Sequence, residues 1–449
     1  MAKEKGFYWQ RHPEVEAFFH RYLDRSEEKS PTLARFAVKL GKLTDTFLLD
    51  WVDHLVLPAT NRLRGELQEL GFERQPEVGV EVFRHPGVLL PAVLLADKAA
   101  KADHGLALRA ESVADFLQVN GFRATIEGKP LSPYRRAVVA VENECAFMVV
   151  ERRGSRDYVS TSPADAFLPD YLAAIETWQS IPRGIEDEDK AFTAISATAA
   201  ALVRKLGQDL AAHIVCLCER KYWLSRNFAA RMQKSRQDTL GLGWANHDHH
   251  TYRSSRRHFA KLIGLFSQLG FHRRERYYAG REAGWGAQLM ENEAAGLVLF
   301  LDVDLQPDEV DIDFSKTELK PTAQLGTVGL WCALHGDSIL KAGMHHLAAR
   351  FDFNLLREDI AQFGVKFMAP FSDFPYLKQA FSVAENWPVE PRRLQALVDR
   401  QAITAAQAER FGGHGAVGSH LENIQRREGY KGFNKKKNHY HGSRGPGFS

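Results

Sequence analysis

Residues 246–271 read NHDHHTYRSSRRHFAKLIGLFSQLGF, a histidine-rich run followed by an amphipathic helix pattern that closes on Leu-Gly-Phe. Residues 51–72, WVDHLVLPATNRLRGELQELGF, repeat that order, because a short apolar run leads to a helix pattern with the same three closing residues. Short β-branched or apolar runs predict strands, whereas apolar residues spaced by three and four predict helices. Both stretches therefore predict a strand followed by a helix at the start of a repeated unit.

The similarity between the two halves continues beyond these openings. Three further pairs of segments occur in the same order: WGAQLMENEAAGLVLFLDVDL (285–305) with VEVFRHPGVLLPAVLL (80–95), MHHLAARFDFNLLREDIAQFGV (344–365) with DHGLALRAESVADFLQVNGF (103–122), and LKQAFSVAENW (377–387) with YRRAVVAVENE (134–144). The pattern of each copy predicts a pair of β-α-β-β-β modules, so the sequence favours a duplicated architecture. Chance alignment of generic amphipathic segments is the alternative.

The hydrophobic pattern divides the chain into five predicted segments within an α+β fold. These are a helical segment over 1–48, a first paired-module domain of structural role over 49–160, a helical linker over 161–240, a second paired-module domain that binds metal over 241–432, and a basic flexible tail over 433–449. A repeat of this length also predicts that one copy carries the chemistry while the other is spare.

Composition and charge exclude several classes of partner. The net charge of +3, from 59 basic and 56 acidic residues, gives no strong attraction to nucleic acid. The start, MAKEKGFYWQRHPEV, lacks an apolar signal core, and no stretch is long and apolar enough to predict a membrane span. With four cysteines, a disulfide framework is not expected. We expect a cytoplasmic protein with small-molecule partners, and the sequence leaves its oligomeric state open.

Strand alternation selects among the histidines of the second copy. Side chains alternate between the two faces of a strand, so residues 246–255 predict two groups: His247, His249, Thr251 and Arg253 on one face, with His250 and Tyr252 on the other. In GMHHLAARF the same rule places His346 and Arg350 together. Each half of this copy thus offers an imidazole with an arginine four residues later, a pairing suited to a metal and a carboxylate.

A carboxylate completes the predicted ligand set. Glu422 is the acidic residue of GAVGSHLENIQRR, and with His249 and His346 it gives two imidazoles and one carboxylate, which leave three positions of an octahedral ion open. This set predicts Fe(II), and it suits Mn(II) as well. His345 is the competing ligand, since a slip of one residue would exchange it with His346.

The first copy has weaker candidate ligands at comparable positions. His54, His104 and Glu151 stand in its predicted strands, but Arg109 has the opposite parity to His104, and apolar residues surround His54. These features favour a structural role for the first copy, and its metal binding stays an open alternative.

Several of these motifs carry a resemblance to a known superfamily. WVDHLVLP followed by a helix ending in LGF resembles the opening of a vicinal oxygen chelate module, the superfamily of glyoxalases and extradiol dioxygenases. Residues 240–432 resemble the 2-oxoadipate dioxygenase/decarboxylase family through DHHTYRSS, ALHG with HHLAAR, LKQA, and HLENIQR. The chain departs from the family pattern at Lys378 and Ala380, where the family prefers Arg and Thr, and in a long insertion after Glu385.

The resemblance implies a mononuclear Fe(II) dioxygenase that converts a small 2-oxo dicarboxylic acid and O2 to a 2-hydroxy acid and CO2. It implies His249, His346 and Glu422 as metal ligands and Arg253 as the anchor of a substrate carboxylate. Arg350, Lys378 and Gln379 are further expected substrate contacts, with Gln379 donating a hydrogen bond. Ring cleavage of a catechol, a lyase or isomerase reaction, and a binding scaffold without catalysis are the alternative functions.

Overall fold

The computed structural model describes residues 9–76, 80–96, 102, 104–160, 167–310, 312–433 and 441–442. Within this part of the chain, two curled mixed sheets are packed with helices in an α+β fold. The α-helices are Pro13–Lys29 (α1), Pro31–Thr44 (α2), Asn61–Glu69 (α3), Val113–Asn120 (α4), Phe167–Gln179 (α5), Glu188–Leu206 (α6), Gln208–Ser225 (α7), Phe228–Asp238 (α8), Arg256–Gln268 (α9), Thr327–His335 (α10), Phe353–Asp359 (α11), Pro391–Asp399 (α12) and Ala405–His414 (α13).

Eight strands form the first sheet and ten form the second. The first sheet comprises Val52–Pro58 (β1), Glu73–Gln75 (β2), Glu81–Arg84 (β3), Ala92–Ala96 (β4), His104–Arg109 (β5), Ile126–Glu127 (β6), Tyr134–Glu142 (β7) and Cys145–Arg152 (β8). The second comprises His247–Arg253 (β9), His272–Tyr278 (β10), Trp285–Asn292 (β11), Leu297–Asp304 (β12), His346–Ala349 (β13), Ser372–Phe374 (β14), Leu377–Phe381 (β15), Glu385–Trp387 (β16), Ala416–Arg426 (β17) and His441–Gly442 (β18).

The strand order of one sheet repeats in the other. The first sheet runs β2-β3-β4-β1-β5-β8-β7-β6, and the second contains β10-β11-β12-β9-β13-β17-β15-β14 in the same relation. The parallel pairs also correspond, since β1 with β4 and β5 with β8 match β9 with β12 and β13 with β17. Each sheet is therefore two βαβββ modules side by side, which confirms the predicted tandem architecture.

The helix that follows the first strand of each copy ends in the same way. Gly71 and Gly270 adopt positive φ angles of 85° and 79°, a conformation that glycine accepts without steric cost. The N–H groups of Phe72 and Phe271 then bond to carbonyls five residues earlier at 2.9 and 3.0 Å. Both phenylalanines are buried, so the shared Leu-Gly-Phe sequence reverses the chain and anchors it to the core.

Each sheet packs its convex face against helices and leaves a concave face for other contacts. Leu55 and Leu106 join α1 and α2 residues in one apolar core, and Tyr252 and Leu347 join residues from α5, α6, α7 and α9 in another. The helices predicted as a linker thus pack on the second copy. Among the described residues, no helix combines the length and the apolar character needed to cross a membrane.

The boundaries of the five segments stay a prediction. The described residues of the C-terminal segment contact the rest of the protein. Residues 434–440 and 443–449 of the predicted tail lie outside the described residues. Phe433 is buried, and β18 pairs with β10. The end of the chain therefore contributes to the second sheet and to the cover of its concave face.

Candidate metal centre

Three of the expected ligands meet on the concave face of the second sheet. His346 Nε2 lies 2.9 Å and His249 Nε2 lies 3.4 Å from Glu422 Oε2. All three side chains are buried, and their ligand atoms lie within 4.8 Å of one another. Two imidazole nitrogens and one carboxylate oxygen at this spacing fit a single divalent transition-metal ion.

Three adjacent strands bring the candidate ligands together around Ala348. Ala348 of β13 pairs with His249 of β9 on one side and with Glu422 of β17 on the other. His346 stands two residues before Ala348 and so faces the same side. Because Ala348 carries only a methyl group, the longer side chains of its neighbours converge over it.

A β-bulge sets the orientation of His249. His247 pairs with Ala349 and His249 with Ala348, so Asp248 is an extra residue in β9. Bulges re-aim side chains, and here Asp248 Oδ1 lies 3.0 Å from His249 Nδ1. A carboxylate at Nδ1 keeps a proton on that nitrogen and directs the lone pair of Nε2 into the cluster.

Asp248 is in turn held by two arginines. Arg426 donates to both carboxylate oxygens at 2.9 and 3.1 Å, and Arg350 Nε lies 3.6 Å from Oδ2. These positive charges and the contact with His249 outweigh the effect of burial and keep the pKa of Asp248 well below its usual range. Asp248 is therefore a charged acceptor that fixes the His249 ring.

The other two ligands have fixed partners as well. Gln379 Nε2 donates to Glu422 Oε1 at 2.9 Å, which leaves Oε2 directed at the two histidines. The Nδ1 atoms of His346 and His345 lie 2.9 Å apart, so His345 supports the ligand ring from outside the cluster. Among the described residues, His346 and not His345 lies in the candidate cluster, so His346 stays the predicted ligand.

The protonation states of the cluster respond to its internal charges. Burial alone lowers the pKa of His249, but the Glu422 charge and the contact with Asp248 raise it to about 9. The two histidines hold the pKa of Glu422 below its usual range despite burial. Burial lowers the pKa of His346. Without metal, one proton on His249 thus neutralises Glu422, and a bound cation would replace that proton.

Arg253 lies on the same strand as His249, with the expected orientation. Its Nε atom is 3.7 Å from Asp302 Oδ2, and its guanidinium lies 5.5 Å from the Trp331 ring centroid. Burial raises the pKa of Asp302 to about 7, so this carboxyl is a weak competitor for the arginine near neutral pH. The Arg253 guanidinium has no close hydrogen bond among the described residues and can accept an anionic ligand.

Three other residues expected to contact the substrate have partners within the protein. Lys378 lies on the opposite face from Gln379, where it is 3.2 Å from Asp373 and near the Phe353 ring. Adjacent strand residues face opposite sides, so Lys378 and Gln379 cannot both contact one substrate. Gln379 donates to Glu422, and Arg350 Nε lies 3.6 Å from Asp248, so both residues adjoin the ligand cluster, and their contact with substrate stays a prediction.

His247 also departs from the face predicted for it. Because Asp248 is an extra residue, His247 turns to the side of His250, and their ring centroids lie 5.2 Å apart. Simple alternation had grouped His247 with His249, and a bulge invalidates alternation for residues on its far side.

The three weaker candidates of the first copy, His54, His104 and Glu151, do not come together. His54 pairs with Ala107, which pairs with Met148, so Gly105 and Met148 occupy the positions of His346 and Glu422. A Cβ atom on Gly105 would lie 2.8 Å from Met148 Cε. The methionine therefore fills the space that a second histidine would need.

The other two proposed residues of the first copy lie on the wrong face. His104 precedes Gly105 and so faces the convex side with Leu106. Glu151 accepts from Arg135 and Arg153 and from the N–H of Val113 at the start of α4. Glu151 is therefore a buried helix-capping carboxylate, and the structural role of the first copy stays a prediction.

The support around His54 nevertheless matches that around His249. Asp53 is the extra residue of a bulge in β1, and its Oδ1 lies 2.7 Å from His54 Nδ1. Arg152, four residues after Met148, donates to both oxygens of Asp53 at 2.7 and 2.8 Å. Sequence reasoning missed both Asp-Arg pairs, although the Asp-His dipeptide in VDHLV and HDHHT was a shared signal.

Comparison with known proteins gives only weak similarities. No protein-family model and no curated protein matches the chain. Among solved structures, a triple mutant of 4-hydroxymandelate synthase from Streptomyces coelicolor shares 13% identity at a TM-score of 0.27, covering 87% of this chain and 94% of that chain. Methylmalonyl-CoA epimerase from Mycobacterium tuberculosis shares 12% identity at a TM-score of 0.23, covering 40% of this chain and 87% of that chain.

A third similar structure is a glyoxalase/bleomycin resistance protein/dioxygenase superfamily member from Vibrio splendidus. It shares 11% identity at a TM-score of 0.17, and the alignment covers 22% of this chain and 95% of that chain. At these scores, the description of the fold rests on the strand order and register of the chain itself.

Proposed function

We propose that this protein is a mononuclear Fe(II)-dependent dioxygenase/decarboxylase that acts on a small 2-oxo dicarboxylic acid such as 2-oxoadipate. One 2-oxo acid and one O2 would give one CO2 and a 2-hydroxy acid that is one carbon shorter. The observation that carries the proposal is the buried convergence of His249, His346 and Glu422. Two imidazoles and one carboxylate would hold such an ion and leave coordination positions for substrate and oxygen.

The residues of the chain would hold the ion and prepare it for a chelating substrate. Held by these three ligands, Fe(II) would supply the Lewis-acid and oxygen chemistry that a chelating 2-oxo acid requires. Asp248 keeps His249 in the tautomer that ligates through Nε2, and Gln379 keeps one oxygen of Glu422 away from the ion. The ligand geometry is thus set before substrate arrives, which lowers the cost of reaching a productive complex.

Arg253 would bind the second carboxylate of the substrate. It stands four residues beyond His249 on one face of β9, about 13 Å along the strand at its Cα atom, and the long side chain shortens that distance. Its loose contact with Asp302 leaves the guanidinium fork available for two hydrogen bonds to a carboxylate. Aromatic rings of Phe300 and Phe433 lie against His249 and exclude water from the cluster.

The test is oxygen uptake by protein purified without oxygen and loaded with Fe(II). Wild-type protein should consume O2 with 2-oxoadipate and release CO2 in equal amount. Arg253→Met should lower kcat/KM for 2-oxoadipate about 10- to 100-fold, because a charge-assisted contact is lost. The same variant should change kcat/KM little for 2-oxohexanoate, which has no distal carboxylate.

Other outcomes would contradict separate parts of the proposal. Stoichiometric iron without 2-oxo-acid-dependent uptake would exclude this chemistry and leave ring cleavage, lyase or isomerase reactions to test. Equal losses on both substrates in Arg253→Met would exclude Arg253 as the carboxylate anchor. Folded protein that retains no metal would exclude a metalloenzyme.

A further inference from the structure

A cavity lies between the two copies, on the opposite side of β9 from the metal cluster. It has a volume of about 260 Å³ and is bounded by the ends of β5 and β8, by α5 and α7, and by the start of β9. Tyr171, Ile175, Trp244 and Leu297 give it an apolar wall. A cavity of this kind, with a few polar groups in an apolar setting, is typical of small-molecule sites.

The charged side chains that line this cavity are mostly cationic. Four arginines line it: Arg109, Arg152, Arg153 and Arg220. Glu111 is the carboxylate among the lining residues. Three of the four arginines have acidic partners. Arg152 contacts Asp53 at 2.7 Å, Arg153 contacts Glu151 at 2.6 Å and Arg220 contacts Glu111 at 3.1 Å.

Arg109 differs from the other three because no described residue forms an ion pair or hydrogen bond with it. Its Nη1 lies near the backbone of the turn at Gly296, 3.3 Å from where a Cβ atom on that glycine would stand. Burial, together with the charges of Arg152 and Arg220, lowers the pKa of Arg109 to about 10. A guanidinium partly withdrawn from water without a counter-charge carries a desolvation cost, and a bound anion would reduce that cost.

We propose that this cavity binds a small amphiphilic anion, a carboxylate or phosphate joined to an apolar body, with Arg109 pairing with the anionic group. Guanidinium forks bind both kinds of oxyanion in two-point contacts. The apolar wall formed by Tyr171, Ile175, Trp244 and Leu297 accommodates the rest of the molecule. The site is separate from the metal cluster, because the bulge at Asp248 turns His247 toward this cavity and His249 away from it.

Calorimetric titration of metal-free, full-length protein tests the proposal with three probes of equal chain length: hexanoate, hexyl phosphate and hexan-1-ol. One of the two anions should bind at one per chain, and hexan-1-ol should bind at least about tenfold more weakly because it lacks the charge. The stronger of the two anions identifies the head group. Absence of binding by either anion up to about 10 mM would overturn the proposal.

Matched arginine variants locate the site. Arg109→Met should weaken anion binding about 10- to 100-fold, whereas Arg253→Met, which changes the partly buried arginine on the metal-cluster side of β9, should leave it unchanged. Loss of binding in Arg253→Met with retention in Arg109→Met would place the anion at the other site and overturn the proposal.

Thermal unfolding separates a binding role of Arg109 from a structural one. Arg109→Met removes a partly buried charge without a described partner, so the ligand-free variant should unfold at the same temperature as wild type or higher. A marked fall in unfolding temperature would show that the arginine stabilises the fold instead. Arg109→Lys keeps the charge and loses the fork, and it should bind the preferred anion with intermediate affinity.

Discussion

In the second copy, His249 lies beside His346 and Glu422, whereas in the first copy His54 lies beside Gly105 and Met148 at the same register positions. Both histidines have an aspartate at Nδ1, and both aspartates are held by an arginine from the last long strand of the other module in the same copy. Two changes at ligand positions thus distinguish a candidate metal centre from a filled apolar face. The supporting contacts are independent of whether the ligands are present.

The electrostatic contrast follows from the same substitutions. Burial lowers the pKa of His54, and Asp53 only partly offsets it. The additional carboxylate of Glu422 is what raises the pKa of His249 to about 9. Around Met148, apolar side chains such as Val56 and Leu94 complete a small core on the concave face.

The largest expected effect comes from removing the carboxylate ligand. Glu422→Ala should reduce metal content in anaerobically purified protein from about one ion per chain to nearly none, because two imidazoles alone hold the ion weakly. Elemental analysis after gel filtration measures this. Met148→Ala, at the equivalent position, should leave metal content unchanged and lower the free energy of unfolding by about 2–5 kcal/mol through a core cavity. A fall in metal content in both variants would contradict the assignment.

A smaller effect is expected from the supporting aspartates. Asp248→Asn should weaken metal binding about 10- to 100-fold by loosening His249, while Asp53→Asn should leave metal affinity unchanged. Both variants should lose about 3–5 kcal/mol of stability, because Arg426 or Arg152 is left buried without its counter-charge. Competition with a chelator gives the affinity and urea unfolding gives the stability. Equal affinities in the two variants would remove the support role of Asp248.

The pH dependence should separate the two histidines further. A bound ion displaces the His249 proton, so Mn(II) affinity should rise about tenfold per pH unit up to about pH 9. In the metal-free protein, folding raises the pKa of His249 from 6.5 to about 9, so protonated His249 stabilises the fold. This stabilisation is complete below about pH 6.5 and is lost as pH rises through about 9. His249→Gln should flatten this alkaline loss of stability, and His54→Gln should not change it. Chemical unfolding at several pH values measures the difference.

The smallest effect is expected at Lys378. Lys378→Met should change kcat/KM by less than about twofold, because the lysine forms a partly exposed ion pair on the convex face. Its neighbour on the concave face gives the contrast, since Gln379→Leu should weaken metal binding about tenfold by releasing Glu422. Steady-state kinetics on the two variants compares the faces of β15. A large loss in Lys378→Met would mean that the substrate reaches that face.

Local patterns in the sequence were sufficient for the repeat and for much of the candidate site. Alternation in β9 and β13 predicted that His249, Arg253 and His346 face one side, and their geometry agrees. Two residues of the first copy were misplaced because their positions depend on pairing between strands distant in sequence. Only the register of β5 with β8 identifies Gly105 and Met148 as the counterparts of ligands.

Some of the errors lay within reach of the sequence. Lys378 and Gln379 are neighbours in a strand, so alternation alone places their side chains on opposite faces of the sheet. The turn of His247 was not predictable in this way, because a bulge depends on how the partner strand pairs. Phe433 was assigned to a flexible tail by composition, and only packing against His249 reveals its place.

The paired bulges at Asp53 and Asp248 bear on the history of the chain. Each is one extra residue at the equivalent register position, and each brings an aspartate beside the histidine of its first strand. A single insertion before the gene segment doubled accounts for both more simply than two later insertions. The unit that was duplicated then already carried an aspartate beside the histidine of its first strand.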